Sequence, residues 1–356
     1  MQRHQLFKEL TEAFGPSGYE TDVRAIMAKY LGENTEISTD RLGSIIGYHQ
    51  GDAAGPKVLV TGHMDEVGFL VKKITSDGYI RFLPVGGWWP QVLLSQRVIL
   101  RTRKGDFEGI IGSKPPHVMK PEERKKPPEM ESLFIDIGVV GKKGAEDVGA
   151  RPGDPIVPIG DFRPLQNGVL AAKAWDDRVG CAVLAEMAAD ISGSLANHPN
   201  QLYLAGTVQE EVGLRGAKTV AGLVKPDIAI AVDVALSHDI PGGESDAREK
   251  FGAGASVLVH DATMIPNVVL RDFVCEVAEA EGINYHLTSL RGGYDTGAIH
   301  LTNIGVPSIP LGLPSRYIHS HVSVIYEEDY LALLNLVKAV VKRLDAAKLK
   351  EITKFA

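Results

Sequence analysis

The sequence predicts an α/β protein: a mixed, mostly parallel central sheet flanked by helices, interrupted by a small β-barrel-like insertion. Three observations lead there. Short β-branched runs alternate with amphipathic helical stretches at both ends of the chain. Between about 68 and 163 that alternation stops, and short strand-like runs follow one another between Gly and Pro turns. The polar residues able to do chemistry then cluster just after the apolar strands, where an open α/β sheet carries its function.

The elements follow in order. Two helical patterns, Gln5 to Phe14 and Glu20 to Leu31, are separated by Pro16, Ser17 and Gly18, a strong breaker cluster. Lys57 to Thr61 and Val67 to Ile74 read as strands. YIRFLPV, RVILRT, FEGIIG and LFIDIGV supply the insertion. Within it, KPPHVMKPEERKKPPEM at 114–130 carries five prolines and eight charged side chains, so it is expected to be an exposed loop. The α/β alternation resumes at about 164. Strands are predicted at 169–173, 202–208, 227–233 and 306–311, and helices at 177–190, 217–223, 267–281 and 327–344. The expected division is a catalytic α/β domain made of 1–67 plus 164–356, with 68–163 inserted.

Composition narrows the function. The 356 residues hold 38 Lys and Arg against 45 Asp and Glu, a net charge of −7. A general nucleic-acid binder needs the opposite sign. No apolar run approaches the ~18 residues of a membrane span, so neither a membrane nor a nucleic acid is an expected partner. Two cysteines form no disulfide framework, which suits a cytoplasmic protein. Both Cys181 and Cys275 are expected to be buried.

Five places bring acids or imidazoles to strand ends: His63 and Asp65 in TGHMDE, Asp176 and Asp177 in AWDDRVG, Glu210 and Glu211 in VQEEVGLRG, Asp233 in AVDVA, and His319 in RYIHSH. Oxygen and imidazole donors without cysteine fit divalent zinc, cobalt or manganese. Charge counting sets the number of ions. Asp176, Asp233 and Glu211 bring three negative charges, and the nearby Asp65 and Glu210 add to the repulsion. Two divalent cations bring +4, so a pair of metals with one bridging carboxylate is the balanced arrangement. Adjacent acids in an extended segment point opposite ways, so one of Glu210 and Glu211 can hold metal while the other acts as general base. The i, i+2 spacing of His63 and Asp65 lets the acid orient the imidazole from behind. Asp177 is more readily a helix-start residue than a catalytic one.

GHMDEVGF, AWDDRVG, QEEVGLRGAK, the acid of AVDVA, GGYDTGAIHL and SRYIHSH occur in an order and spacing that resemble the M42 family of dinuclear metallo-aminopeptidases. That family includes bacterial glutamyl aminopeptidases and tetrahedral archaeal aminopeptidases. The resemblance runs over nearly the whole chain. It implies that His63 and Asp233 hold one metal, Glu211 and His319 the other, and that Asp176 bridges. Glu210 would be the general base and Asp65 the acid behind His63. It also implies dimers built through the inserted domain and assembly into tetrahedral dodecamers. Two residues depart from the common pattern: His321, where many members have Pro, leaves His319 and His321 both open as ligand, and Tyr294 stands where Thr is common.

The expected reaction is hydrolysis of the N-terminal residue from peptide substrates, with an acidic or broad neutral preference. The alternative is another metal-dependent amide hydrolase, a deacylase or carboxypeptidase, on the same scaffold. Arg291, Asp295 and Arg316 flank the motifs and are the candidate substrate-binding residues, with either arginine equally able to serve a structural ion pair. Trp88 and Trp89 are left between a pocket wall and core packing.

Overall fold

A computed structural model describes residues 2–243 and 246–354. Eleven strands form one sheet, and six more close into a barrel. At the centre of the sheet four strands run parallel, in the order Gln201–Thr207, Lys57–His63, Ile228–Leu236 and Ser308–Arg316. Antiparallel strands extend it outward, Ile45–Gln50 and Glu36–Thr39 on one side and Ser323–Tyr326, Val169–Ala172 and Arg163–Pro164 on the other. The central strands are buried along nearly their whole length, as expected for a parallel sheet with both faces covered.

The helices obey ordinary end chemistry. Glu327–Val341 begins with Glu327, Glu328 and Asp329 and ends with Lys338, matching the helix dipole at both ends. Its Tyr330, Leu333, Leu334, Val337 and Val341 form one buried stripe. Val268–Glu281 starts where the Leu270 N–H donates to the Asn267 side chain and stops at Gly282, whose φ is 64°. The most buried helix, Trp175–Ala189, lies against the strands Lys57–His63 and Ile228–Leu236.

The barrel joins Gly68–Ile74, Ile80–Val85, Phe134–Asp136, Gly105–Gly112, Arg97–Thr102 and Pro155–Pro158, all antiparallel. It has its own core, with Phe69, Phe82, Leu100 and Ile135 at its centre. Residues 114–130 are mostly exposed and contain a turn of 3-10 helix, Pro116–Val118, and a four-residue helix, Pro121–Arg124.

Several elements depart from the sequence reading. Ala255–His260 and Tyr285–Ser289 are strands pairing in parallel at one flank of the sheet, and Glu36–Thr39 and Ile45–Gln50 extend the other. None of the four was expected. Glu36–Thr39 is exposed throughout, so it lacks the alternation that marks a half-buried strand. Cys181 is buried as expected, whereas Cys275 is only half-buried.

Candidate metal centre

The site assembles at the C-terminal ends of the parallel strands. His63 closes its strand, level in register with Thr207 on the neighbour, and Asp233 lies near the end of the next. Asp176 comes from the first turn of Trp175–Ala189, where Asp176 and Asp177 leave helical geometry and are joined by a cis peptide bond. His319 follows Ser308–Arg316 in a loop with a left-handed backbone, φ 57°. Five non-glycine residues around the site, Ala174, Gln209, Leu214, Tyr317 and His319, have positive φ. Such strain costs about 1–3 kcal/mol per residue and persists only where the surroundings enforce it.

Asp176 is the hub. Its Oδ1 lies 2.9 Å from His63 Nε2 and its Oδ2 lies 3.2 Å from His319 Nε2. Around that axis, Glu211 Oε1 is 3.3 Å from His319 Nε2, Asp233 Oδ2 is 3.7 Å from His63 Nε2, and Glu210 Oε2 is 3.8 Å from it. One set of donor atoms, from His63, Asp176 and Glu211, lies within 4.8 Å of one another, and so does a second from His63, Asp177 and Asp233.

The groups behind the cluster hold it in place. The ring Nδ1–H of His63 donates to the Asp65 carbonyl at 3.0 Å. That carbonyl can only accept, so in the neutral ring the Nε2 lone pair faces the acids. The Asp65 carboxylate is farther from the imidazole, at 3.5 Å. It instead accepts the backbone N–H of Glu210 and of Glu211 and the hydroxyl of Ser17. Asp177 accepts the backbone N–H of His63 and of Gly180, one on each oxygen, so it braces the strand against the helix.

Electrostatics show what this cluster lacks. Burial pushes the carboxyls of Glu210, Glu211 and Asp233 up, and neighbouring acids push them further. Burial also acts against charge on the imidazoles, yet the surrounding carboxylates outweigh it. They raise His63 well above its ordinary value and His319 to about 11. Burial opposes ionisation of Asp176 too, but hydrogen bonds from His319 and His63 hold it well below the usual carboxylate range. Negative charge is in excess, and it favours cationic partners beside these carboxylates. Glu211 Oε1 is buried with no well-formed hydrogen bond. A buried oxygen without a donor, beside imidazole nitrogens and other carboxylates, is what a pair of divalent cations would satisfy.

Two glycines that the sequence reading passed over shape the same spot. A Cβ on Gly86 would stand 3.1 Å from Glu211 Oε2, and one on Gly87 would stand 3.1 Å from His319 Nδ1. Both belong to GGWWPQ, just after the barrel strand Ile80–Val85, so the barrel reaches the centre through its most compact residues. The doublet before two tryptophans was the available signal.

The candidate substrate-binding residues fall in three different settings. Arg316 is paired with Asp239 and stacks 3.7 Å above the Phe251 ring, so its charge is already used. Asp295 is buried and accepts the Thr207 hydroxyl at 2.6 Å, and it does not border the cavity over the cluster. Arg291 is exposed and does not line the cavity over the cluster, although its neighbours Leu290 and Gly292 do. That cavity, about 470 Å³, is bordered by Asp176, Glu210, Glu211, Asp233 and His319. His321 is not among the residues bordering it, which favours His319 as ligand. Trp88 packs on Phe69 with ring centroids 4.8 Å apart, while Trp89 remains 59% exposed.

A mixed α/β sheet carrying a closed barrel, with a buried acid–imidazole cluster at its strand ends, defines a metallopeptidase-like class. The M42 glutamyl aminopeptidase family model matches residues 43–336. The chain is 32% identical over 360 residues to the glutamyl aminopeptidase of Lactococcus lactis, covering 100% of both. The structure of a TET aminopeptidase from the archaeon Thaumarchaeota archaeon SCGC AB-539-E09 superposes with a TM-score of 0.96 at 44% identity, covering 99% of each chain. The Pyrococcus horikoshii TET1 peptidase, described as able to assemble into a tetrahedron or a large octahedral shell, gives a TM-score of 0.86 at 30% identity, covering 96% of this chain and 99% of that one. The chain belongs to the M42 aminopeptidase family. It is an enzyme of that class, and divalent metals are what the family implies. No helix among the described residues is long and apolar enough to cross a membrane.

Proposed function

We propose that the chain removes the N-terminal residue from peptides with a free α-amine, using a water activated at two divalent cations. One observation carries the reading: the two Asp176 oxygens face different imidazoles, His63 and His319, with Glu210 alongside. His63 and Asp233 would hold one cation, Glu211 and His319 the other, and Asp176 would bridge. Zinc, cobalt and manganese all suit these donors.

When bound, the cations supply a water acidic enough to ionise near neutral pH and positive charge against the developing oxyanion. Glu210 takes the proton of that water and hands it to the leaving amine. Burial raises its carboxyl pKa, which suits a base that must next act as an acid. Asp65 sets the direction of Glu210 by holding its backbone N–H. The substrate's amine end would sit against the same acid cluster, either neutral on a cation or as an ammonium beside one of its carboxylates.

The first-residue preference follows from the walls. Leu214, Leu236, Leu290 and Ile318 line the cavity, and no lysine or arginine does among the described residues. A neutral, apolar first residue fits better than an acidic one, whose carboxylate would find no cation. The same lack argues against carboxypeptidase action, which must hold a substrate carboxylate. A panel of metal-reconstituted assays on free and amino-blocked peptides tests the reading. Cleavage of free peptides alone is expected, and equal cleavage of blocked ones would favour a deacylase.

We keep the division into 1–67 plus 164–356 with an inserted 68–163, a reading that the separate barrel core supports. We assign self-association to that insertion, as dimers built into a tetrahedral dodecamer, with the 114–130 loop available as a subunit contact. Sedimentation velocity on the whole protein checks it. The cytoplasm fits two unpaired cysteines.

A further inference from the structure

A second groove, about 600 Å³, shares His319 and Ile318 with the acid-lined cavity. Its walls come from two parts of the molecule. Trp89 and Val92 belong to the segment that follows the barrel strand Ile80–Val85, and Tyr317, His321 and Val322 to the loop after Ser308–Arg316. No acid, lysine or arginine lines it among the described residues. Two large rings stand exposed on it, Trp89 at 59% and Tyr317 at 56%. Core packing does not explain Trp89, because its neighbour Trp88 already fills that place, stacked on Phe69 and donating its indole N–H to the Gly68 carbonyl. Tyr317 and His319 both hold left-handed backbone, with φ of 64° and 57°, so the loop common to both cavities is locally strained.

We infer that this groove receives the residue that follows the scissile bond and favours a large, uncharged side chain there. The inference rests on the aminopeptidase reading above. The amine end of the substrate belongs among the carboxylates of the first cavity, which places the scissile carbonyl beside Glu210 and His319. An extended peptide advances about 3.4 Å per residue. The next side chain therefore passes His319 and enters the uncharged groove. Exposed aromatic surface there gains from covering an apolar side chain. A charged one would lose hydration and, among the described residues, find no acid, lysine or arginine to pair with. Specificity at this position would thus be set jointly by the barrel, through Trp89, and by the α/β part, through Tyr317 and Val322.

The test uses the metal-loaded protein and three free-amine dipeptides with one first residue, Leu-Phe, Leu-Gly and Leu-Asp. In the unaltered protein kcat/KM for Leu-Phe should exceed that for Leu-Gly by about tenfold or more, with Leu-Asp lowest, the scale expected for one well-filled apolar pocket. Trp89→Ala should bring the Leu-Phe to Leu-Gly ratio to within about twofold, and Trp89→Phe should keep most of it. Equilibrium binding of the same dipeptides to Glu210→Gln protein should show the same order without turnover, and combining it with Trp89→Ala should erase that order. A flat second-residue profile in the unaltered protein overturns the inference while leaving aminopeptidase action intact. So does a Trp89→Ala variant that slows all three substrates by one factor, or that changes the first-residue preference instead. If no free-amine dipeptide is cleaved at all, the underlying reading falls, and this inference falls with it.

Discussion

The Asp65 carboxylate accepts the backbone N–H of Glu210 at 2.9 Å. The two residues lie far apart in the chain, and this bond fixes how the turn carrying the proposed base sits against the strand carrying His63. With the Glu211 N–H and the Ser17 hydroxyl on the same carboxylate, Asp65 makes three bonds from a fully buried position. An asparagine has a single acceptor oxygen and cannot keep them all. Asp65→Asn should lower kcat by about 10–100-fold, the usual loss when a group supporting metal ligands is altered. The pH optimum should shift less than it would on losing the base itself, because Glu210 is still present. Steady-state pH profiles of both variants check this.

Glu210→Gln removes the proton acceptor and keeps the shape. It should retain both metals by elemental analysis and lose at least ~10² in turnover. Near-normal turnover would refute the assignment.

Metal removal should cost stability as well as activity, because the cluster is left with buried carboxylates facing each other. Ligand binding stabilises the folded state by about 2.7 kcal/mol at a hundredfold excess over the dissociation constant. Chelation should therefore lower the melting temperature by several degrees, and zinc or cobalt should restore it. His63→Ala and Asp233→Asn should each weaken the response to added metal. Identical melting curves with and without chelator would count against a resident metal pair.

A pH effect separate from the centre is expected from Asp329. Its buried carboxylate accepts the N–H groups of Gly252 and Gly254, and burial pushes its pKa from 3.8 up to about 6. The folded chain thus binds this proton more tightly than the unfolded one. Its contribution is most favourable below about pH 4 and is lost as pH rises to about 6. Asp329→Asn stays neutral, so its melting temperature relative to the unaltered protein should climb across that window and then level off. Thermal scans at intervals from pH 4 to 7 measure it. A constant offset would mean that Asp329 does not titrate there.

Much of the centre was legible because each donor follows a short apolar strand. Strand ends of a parallel sheet converge at one edge, so His63 and Asp233 could be placed in one cluster from the sequence, while their pairing came only from the family resemblance. Asp65 was legible as a partner of His63, but its carbonyl contacts the ring more closely than its carboxylate does. Arg316 shows the limit of proximity in sequence. Arg316 stands three residues before His319, yet Asp239 and Phe251, distant in the chain, engage it.

The alternation of strands and helices, the break in texture at the insertion and the run of acids and histidines were determined by the sequence alone, because local periodicity and residue chemistry act over a few positions. Only tertiary structure decided that Gly86 and Gly87, next to the barrel, abut Glu211 and His319, that Asp295 is buried against Thr207, and that Trp89 stands open beside the centre. Those outcomes depend on how separately folded layers pack, and packing joins residues whose chain separation leaves no local pattern to read.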